Sequence, residues 1–296
     1  MPGATSAGAT SPDAASTSAA STSAASTGAA RPQAGVGVDG CRGGWVAAVV
    51  VDAALVAMHR ATSFVALFER VESTLAAGAH APPPWLVDMP MGLTHDGQRG
   101  LEALLRRELP AALKSSVFPV PARATLEARD YQDACTLNAR ACGRRLSQQT
   151  WNIVGKIREL DSCLRQHGHI RERCLESHPE ACFHALLPAG ETLPRKRRVA
   201  GRRAREALLE QSGVRGAVTW KTLLDGDDAA RVAPDDALDA ICLAFVASRP
   251  ARWRRLQDPA RTHDELGVRL QLVLPEPMPP ASTCPPDTRQ HTEQPT

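Results

Sequence analysis

The sequence predicts an α/β domain built on a mixed sheet, with three antiparallel strands leading into parallel ones, flanking helices and a helical insertion. Three observations predict it. Short apolar runs follow one another between residues 35 and 59 with only turn-length gaps, the pattern of a hairpin ladder. Later apolar runs at 85–90 and 173–178 stand alone among segments of helical spacing, as parallel strands joined by crossovers do. The chain has 296 residues, 43% hydrophobic and 23% charged, which suffices for a sizeable core.

The elements follow in order. Gly35-Val36-Gly37-Val38-Asp39 is an apolar run ending in an acid. Residues 45–51 are a β-branched run suited to a strand buried on both faces. Residues 53–59 make a third strand after a tight turn near Asp52. Phe64, Leu67, Phe68, Val71 and Leu75 give residues 63–77 the spacing of a helix. Trp85-Leu86-Val87-Asp88 is a strand that also ends in an acid, and Pro90 stops it because proline cannot donate to a ladder.

Residues 98–109 read as an Arg-rich helix, and 115–121 as loop. A helix is predicted over 123–142. Another is predicted over 147–166, where Trp151, Val154, Ile157, Leu160 and Leu164 recur at three- and four-residue steps. Residues 173–178 form a short strand ending in Glu176, and helices follow at 179–187, 198–212 and 217–224. The last helix runs from Asp235 to Ser248, with Pro234 at its start where helix N-termini favour proline.

Both ends differ in composition. Residues 1–33 are nearly all Ala, Ser, Thr, Gly and Pro and offer no large side chain to bury, so a disordered tail is expected. The Pro-rich stretch 274–296 reads the same way. The domain expected between them covers 34–273, with its insertion at about 98–170. No run approaches the ~20 apolar residues of a membrane span. The N-terminus lacks the features of a secretory signal, so a cytoplasmic location is expected.

Net charge is +3, from 35 basic and 32 acidic residues, too mild to name a polyanionic partner. Basic residues are dense at Arg195-Lys196-Arg197-Arg198 and Arg202-Arg203, either as solvated faces or as nucleic-acid contacts. Aromatic content of 4% shows no base-stacking platform. The eight cysteines form no C-x-x-C pair, which removes the usual zinc spacing and leaves free thiols.

The acids carry the chemistry. Asp39, Asp88 and Glu176 end three strands, and Asp235, Asp236 and Asp239 open the last helix. Ligands of open α/β sheets bind beyond the carboxyl ends of the strands. Asp236 and Asp239 are three apart and share a helical face. Crowded carboxylates repel unless a cation sits among them, and magnesium or manganese is the natural one for oxygen ligands. Two such ions can activate water and stabilise a leaving oxygen in phosphoryl transfer. On this reading Asp39, Asp88, Asp236 and Asp239 hold metal, while Glu176 or His178 orients water or the scissile phosphate. Each acid alone also fits a turn or cap, and Asp235 is the best placed for capping. Gly40, Gly43 and Gly44 after Asp39 suit a tight hairpin turn or close approach of a phosphate. They match neither the P-loop nor the dinucleotide fingerprint.

An ordered set of motifs carries a resemblance. It comprises Gly37-Val-Asp39-Gly-Cys-Arg-Gly-Gly-Trp45, Val87-Asp88-Met-Pro-Met-Gly-Leu93, Ser115-Ser-Val-Phe-Pro-Val-Pro121, Gln149-Thr-Trp151, Glu176-Ser-His-Pro-Glu180 and Asp235-Asp-Ala-Leu-Asp-Ala240. The chain resembles, over about residues 35–250, the domain-of-unknown-function family numbered 429, described as ribonuclease-H-like nucleases. The resemblance implies a ribonuclease-H-like fold and metal-dependent hydrolysis of DNA or RNA. Asp236-Ala-Leu-Asp239-Ala is also similar to the last-helix acids of Holliday-junction resolvases. That similarity makes Asp39 the first-strand acid and Asp88 the fourth-strand acid, where resolvases often carry the longer Glu. The helix after Asp88 usually carries Arg-x-x-Asp and later a Gly in the family. Here it reads Arg99-Gly-Leu-Glu102, with Leu109-Pro110-Ala at the glycine. Arg42, Arg99, Arg123 and His178 are the expected substrate contacts, with ion-paired or surface arginines as the alternative reading.

Two other classes stay open. An actin-like or sugar-kinase-like nucleotide-binding protein shares a first-strand Asp followed by glycines but needs two copies of the unit, and the sequence shows one. A non-catalytic binding protein could retain the same fold, because fold alone assigns no function.

Overall fold

A computed structural model of the chain describes residues 33–78 and 80–277. β1 (Ala34–Cys41), β2 (Gly44–Val51) and β3 (Ala54–Ala61) form the expected antiparallel ladder. Its second turn holds Asp52 and Ala53 at φ 47° and 62°. Positive φ at both central residues supplies the twist that a two-residue hairpin needs. β4 (Trp85–Val87) joins β1 in parallel on the other side, and β5 (Cys174–Ser177) joins β4 in parallel. Three antiparallel strands therefore lead into parallel ones, consistent with a ribonuclease-H-like sheet.

The sheet is larger than the sequence predicts. Its order is β3-β2-β1-β4-β5-β7-β6, with β6 spanning Trp253–Leu256 and β7 spanning Leu272–Pro275. β7 lies parallel to β5, and β6 closes the edge antiparallel to β7. β6 reads Trp-Arg-Arg-Leu and is nowhere buried, so its composition carries no strand signal. β7 is buried throughout but only four residues long, and proline ends it. It extends the sheet into residues expected to begin the C-terminal tail. Residues 278–296 of that tail, and all but residue 33 of the N-terminal one, lie outside the described residues.

Helices cover both faces. α1 (Phe64–Ala77) starts at Ser63, whose hydroxyl accepts a hydrogen bond from the Ala66 amide at 3.3 Å. The insertion between β4 and β5 contributes α2 (Leu101–Glu108), α3 (Tyr131–Cys142), α4 (Gln148–Gln166) and α5 (Gly168–Arg173). The helix predicted over 123–142 is divided, because Asp130 leaves helical geometry to cap α3 through the Asp133 amide at 2.9 Å. Residues 123–127 are left as a 3-10 turn. The predicted 217–224 helix is likewise a 3-10 turn at Ala217–Leu223. After β5 come α6 (Pro179–Leu186), α7 (Val199–Gln211), α8 (Gly226–Arg231) and α9 (Pro234–Ala247).

Two cores result. On one face Val46, Ala48 and Val50 of β2 pack with α6, α7 and α9. On the other, Trp45, Ala47 and Val49 pack with α1 and α4. β2 is buried at every position, as its unbroken apolar run requires. The closest packing is α9 on β1. A Cβ at Gly37 would stand 2.1 Å from the Ala240 carbonyl oxygen, and one at Gly35 2.1 Å from the Ser248 amide. Only glycine admits a helix backbone so near a strand.

Candidate metal centre

Register and close packing gather the acids. Val38 of β1 pairs with Val87 of β4, and the Asp88 amide donates to the Val38 carbonyl at 2.9 Å. Asp39 and Asp88 therefore leave adjacent strands at the same level. α9, seated on Gly35 and Gly37, delivers Asp239 one residue before the Ala240 contact. One carboxylate oxygen from each of Asp39, Asp88 and Asp239 lies within 4.8 Å of the others. That span suits a single ion with oxygen ligands at about 2.0–2.6 Å on either side. Asp239 is fully buried, Asp39 is 8% exposed and Asp88 is half-buried.

The electrostatics match a cation site. Burial, then repulsion from Asp88 and Asp239, holds the Asp39 carboxyl well above its ordinary value. Burial pushes Asp88 and Asp239 up to about 6, although Lys196 pulls both back. Ionising all of them without a counter-charge is costly, and hard divalent ions are the natural remedy. One atom tests the fit directly. Asp239 Oδ1 is buried and has no hydrogen-bond partner, while Oδ2 is taken by Lys196. A buried carboxylate oxygen without a donor carries a desolvation cost that a metal ion would remove. The donor set, all carboxylate oxygen, fits a hard divalent cation.

Lys196 is the residue at the three-acid group that the sequence did not single out. It sits in a basic run whose composition says only solvated or nucleic-acid-binding. The structure turns it inward, with Nζ 2.5 Å from Asp239 Oδ2 and the side chain 32% exposed. Burial disfavours its ammonium, but Asp239, Asp39 and Asp88 outweigh burial and hold its pKa above the usual lysine value. Its loop is anchored by Arg205 of α7, which donates to the Pro194 carbonyl at 2.9 Å and forks onto Glu180 at 2.8 and 2.9 Å. Nothing in the spacing of these residues announces that arrangement.

The other expected residues fall in different places. Asp236, in the first turn of α9, is half-buried beside the cluster but contributes no oxygen to the three-acid group. Burial, then Asp235 and Asp239, raises its carboxyl to about 6. Asp235 is not the cap of α9, a position held by Ala233; it stands in the first turn, where the helix dipole favours acids. Glu176 is gripped by Arg99 through two 2.8 Å bonds and accepts the Met91 amide at 2.8 Å. Arg99 is 1% exposed and also donates to Glu102 and to the Met91 carbonyl. These two side chains fix the loop after β4 and form one wall of the site.

Arg123 binds Asp161 of the insertion and Asp264 between β6 and β7 and reaches the Leu93 carbonyl, so its charge is spent on internal partners. Arg42 is exposed at the β1–β2 turn. His178 caps α6 by accepting the Ala181 amide at 3.3 Å, and burial lowers its pKa. Asp39, Asp88, Arg99, Glu176, His178 and Lys196 line one cavity of about 290 Å³. Its far wall is apolar, from the Val117–Pro121 segment and Ile153.

Cys41, Cys135, Cys142, Cys163, Cys174, Cys182 and Cys242 are free thiols; Cys284 lies outside the described residues. No helix among the described residues is long and apolar enough to cross a membrane. Searches of curated proteins and of solved structures return no match. A family model described as Protein of unknown function (DUF429) matches residues 37–261. With most of its length covered by that match, and with the motif acids meeting at the end of β1, the chain belongs to the DUF429 family.

Proposed function

We propose that the chain is a metal-dependent nuclease that hydrolyses phosphodiester bonds of nucleic acid, using magnesium or manganese held by Asp39, Asp88 and Asp239. The observation that carries this reading is the buried three-acid group with an unpartnered Asp239 oxygen. A divalent ion there would polarise a phosphoryl oxygen and make water a better nucleophile. Asp39, on the rigid sheet, fixes one side of the site, and Asp239 fixes the other from α9. Asp236 stands one turn away, able to accept a proton from water at the edge of the cluster. Lys196 offers its remaining N–H groups to anionic oxygen in the cavity. The Arg99–Glu176 pair keeps the loop after Asp88 in place. Arg42, exposed at the nearby hairpin, supplies a cation for a flanking phosphate.

The actin-like alternative draws no support from the described residues, which hold one strand-Asp-Gly unit and one sheet. The test is cleavage of labelled single-stranded and duplex DNA and RNA with and without magnesium or manganese. Cleavage is expected only with metal, and it is expected to disappear in Asp39→Asn while the thermal melt of the cation-free protein is retained. Metal binding without cleavage of any of these substrates would leave a binding protein in place of a nuclease.

A further inference from the structure

Resting on that reading of the acids as a metal centre, we infer that Lys196 is a built-in second cation, so that the centre takes one divalent ion per chain. The charges at the site decide this. Three carboxylates, Asp39, Asp88 and Asp239, meet within 4.8 Å. One of the two oxygens of Asp239 already accepts from Lys196, and the other is buried and unpartnered. The ammonium thus already occupies one of the two oxygens through which Asp239 could share ions, and one oxygen is left for a divalent ion.

The charge sum agrees. Three negative carboxylates, one ammonium and one divalent ion add to zero in a pocket where Asp239 is fully buried and Asp39 nearly so. A second divalent ion in place of solvent would leave a net charge of plus two beside Lys196, and buried uncompensated charge is strongly disfavoured. Asp236 contributes no oxygen to the three-acid group, so the sum counts the groups that meet there.

The ammonium is held there by construction. Arg205 is 1% exposed and fixes the loop before Lys196 through Pro194, while its fork onto Glu180 ties that loop to α6. A Cβ at Gly201 would come 2.1 Å from the Arg195 carbonyl, so the segment carrying Lys196 rests directly on α7. A lysine merely trailing from a basic loop would have no such support.

The experiment counts manganese alone on the full-length protein at neutral pH, from the paramagnetic signal of free ion in a titration. Asp39→Asn gives the background from surface sites. The wild type is expected to bind one ion above that background, Lys196→Arg one, and Lys196→Met two. Two ions in the wild type, or one in a folded Lys196→Met, would overturn the assignment of Lys196 and leave the metal centre standing. No ion above background in the wild type would overturn the metal centre itself. Should Lys196→Met fail to fold, the wild-type and Lys196→Arg counts still decide, because two ions in either contradicts the inference.

Discussion

Glu176 illustrates how one carboxylate can satisfy both a functional and a structural pattern. It ends a strand at the correct edge of the sheet, as a metal ligand would, yet both its oxygens accept from Arg99. A buried ion pair with this geometry is costly to break, because removing one partner strands the other charge away from water. Arg99→Met is therefore expected to lower unfolding free energy by about 3–5 kcal/mol in denaturant titrations. A loss below about 1 kcal/mol would mean that the pair is solvated and weak. Glu176→Gln separates the two roles. Manganese affinity should change little while stability drops, whereas loss of manganese binding in a folded Glu176→Gln protein would make Glu176 a ligand after all. Arg99 carries the same lesson from the other side: an arginine beside the acids is spent on holding the loop that follows Asp88.

At the scale of elements, the contact of α9 with β1 sets the three-acid group. The two glycines of β1 let α9 lie on the strand, and the helix brings Asp239 to Asp39. Gly37→Ala would place a methyl group 2.1 Å from the Ala240 carbonyl, with the Ala244 amide at 2.2 Å, so the helix must shift. Both atoms are backbone and cannot rotate away. Overpacking of this kind costs about 1–3 kcal/mol or more. Gly37→Ala is expected to lose that stability and to weaken manganese binding at least tenfold, measured by titration; unchanged affinity would show that the helix position does not govern the site. This contact also marks how much the sequence could reveal. The ladder from β1 to β3 was legible because β2 is an unbroken apolar run and β1 and β3 are largely apolar between turn residues; α1 and α4 were legible from their periodicity, and α9 from Pro234 at its start. Asp39, Asp88 and Asp239 were legible as acids at strand ends and on one helical face. β6 was not, because two arginines in four residues hide an edge strand, nor was β7, four residues against a Pro-rich segment. Lys196 was hidden for a different reason: its role depends on the long-range anchoring of its loop by Arg205, which no local pattern encodes.

For the whole molecule, the buried acids tie stability to pH. Burial raises Asp88, Asp236 and Asp239 to about 6 and Asp39 well above its ordinary value, whereas the unfolded chain ionises them near 4. The folded state therefore holds more protons than the unfolded state between about pH 4 and pH 6. The contribution of these groups to stability is fully present below the unfolded pKa and is lost as pH rises through the folded one. A divalent ion held by the three acids would reverse the penalty, because it would bind the ionised carboxylates and compete with protons for them. The rise in melting temperature caused by magnesium or manganese must then grow with pH across this window. At about a hundredfold excess over Kd, ligand linkage contributes about 2.7 kcal/mol, or roughly 5–10 °C for a domain of this size. That shift is expected at pH 7.5 and should fall to less than about a third of it at pH 5, with both shifts absent in Asp239→Asn. The comparison is internal to each pH, so exposed carboxylates such as Asp96, which Arg261 holds down at about 2, cancel from it. Equal metal-induced shifts at the two pH values would place the bound ion on groups already ionised at pH 5, away from the buried cluster at the end of β1.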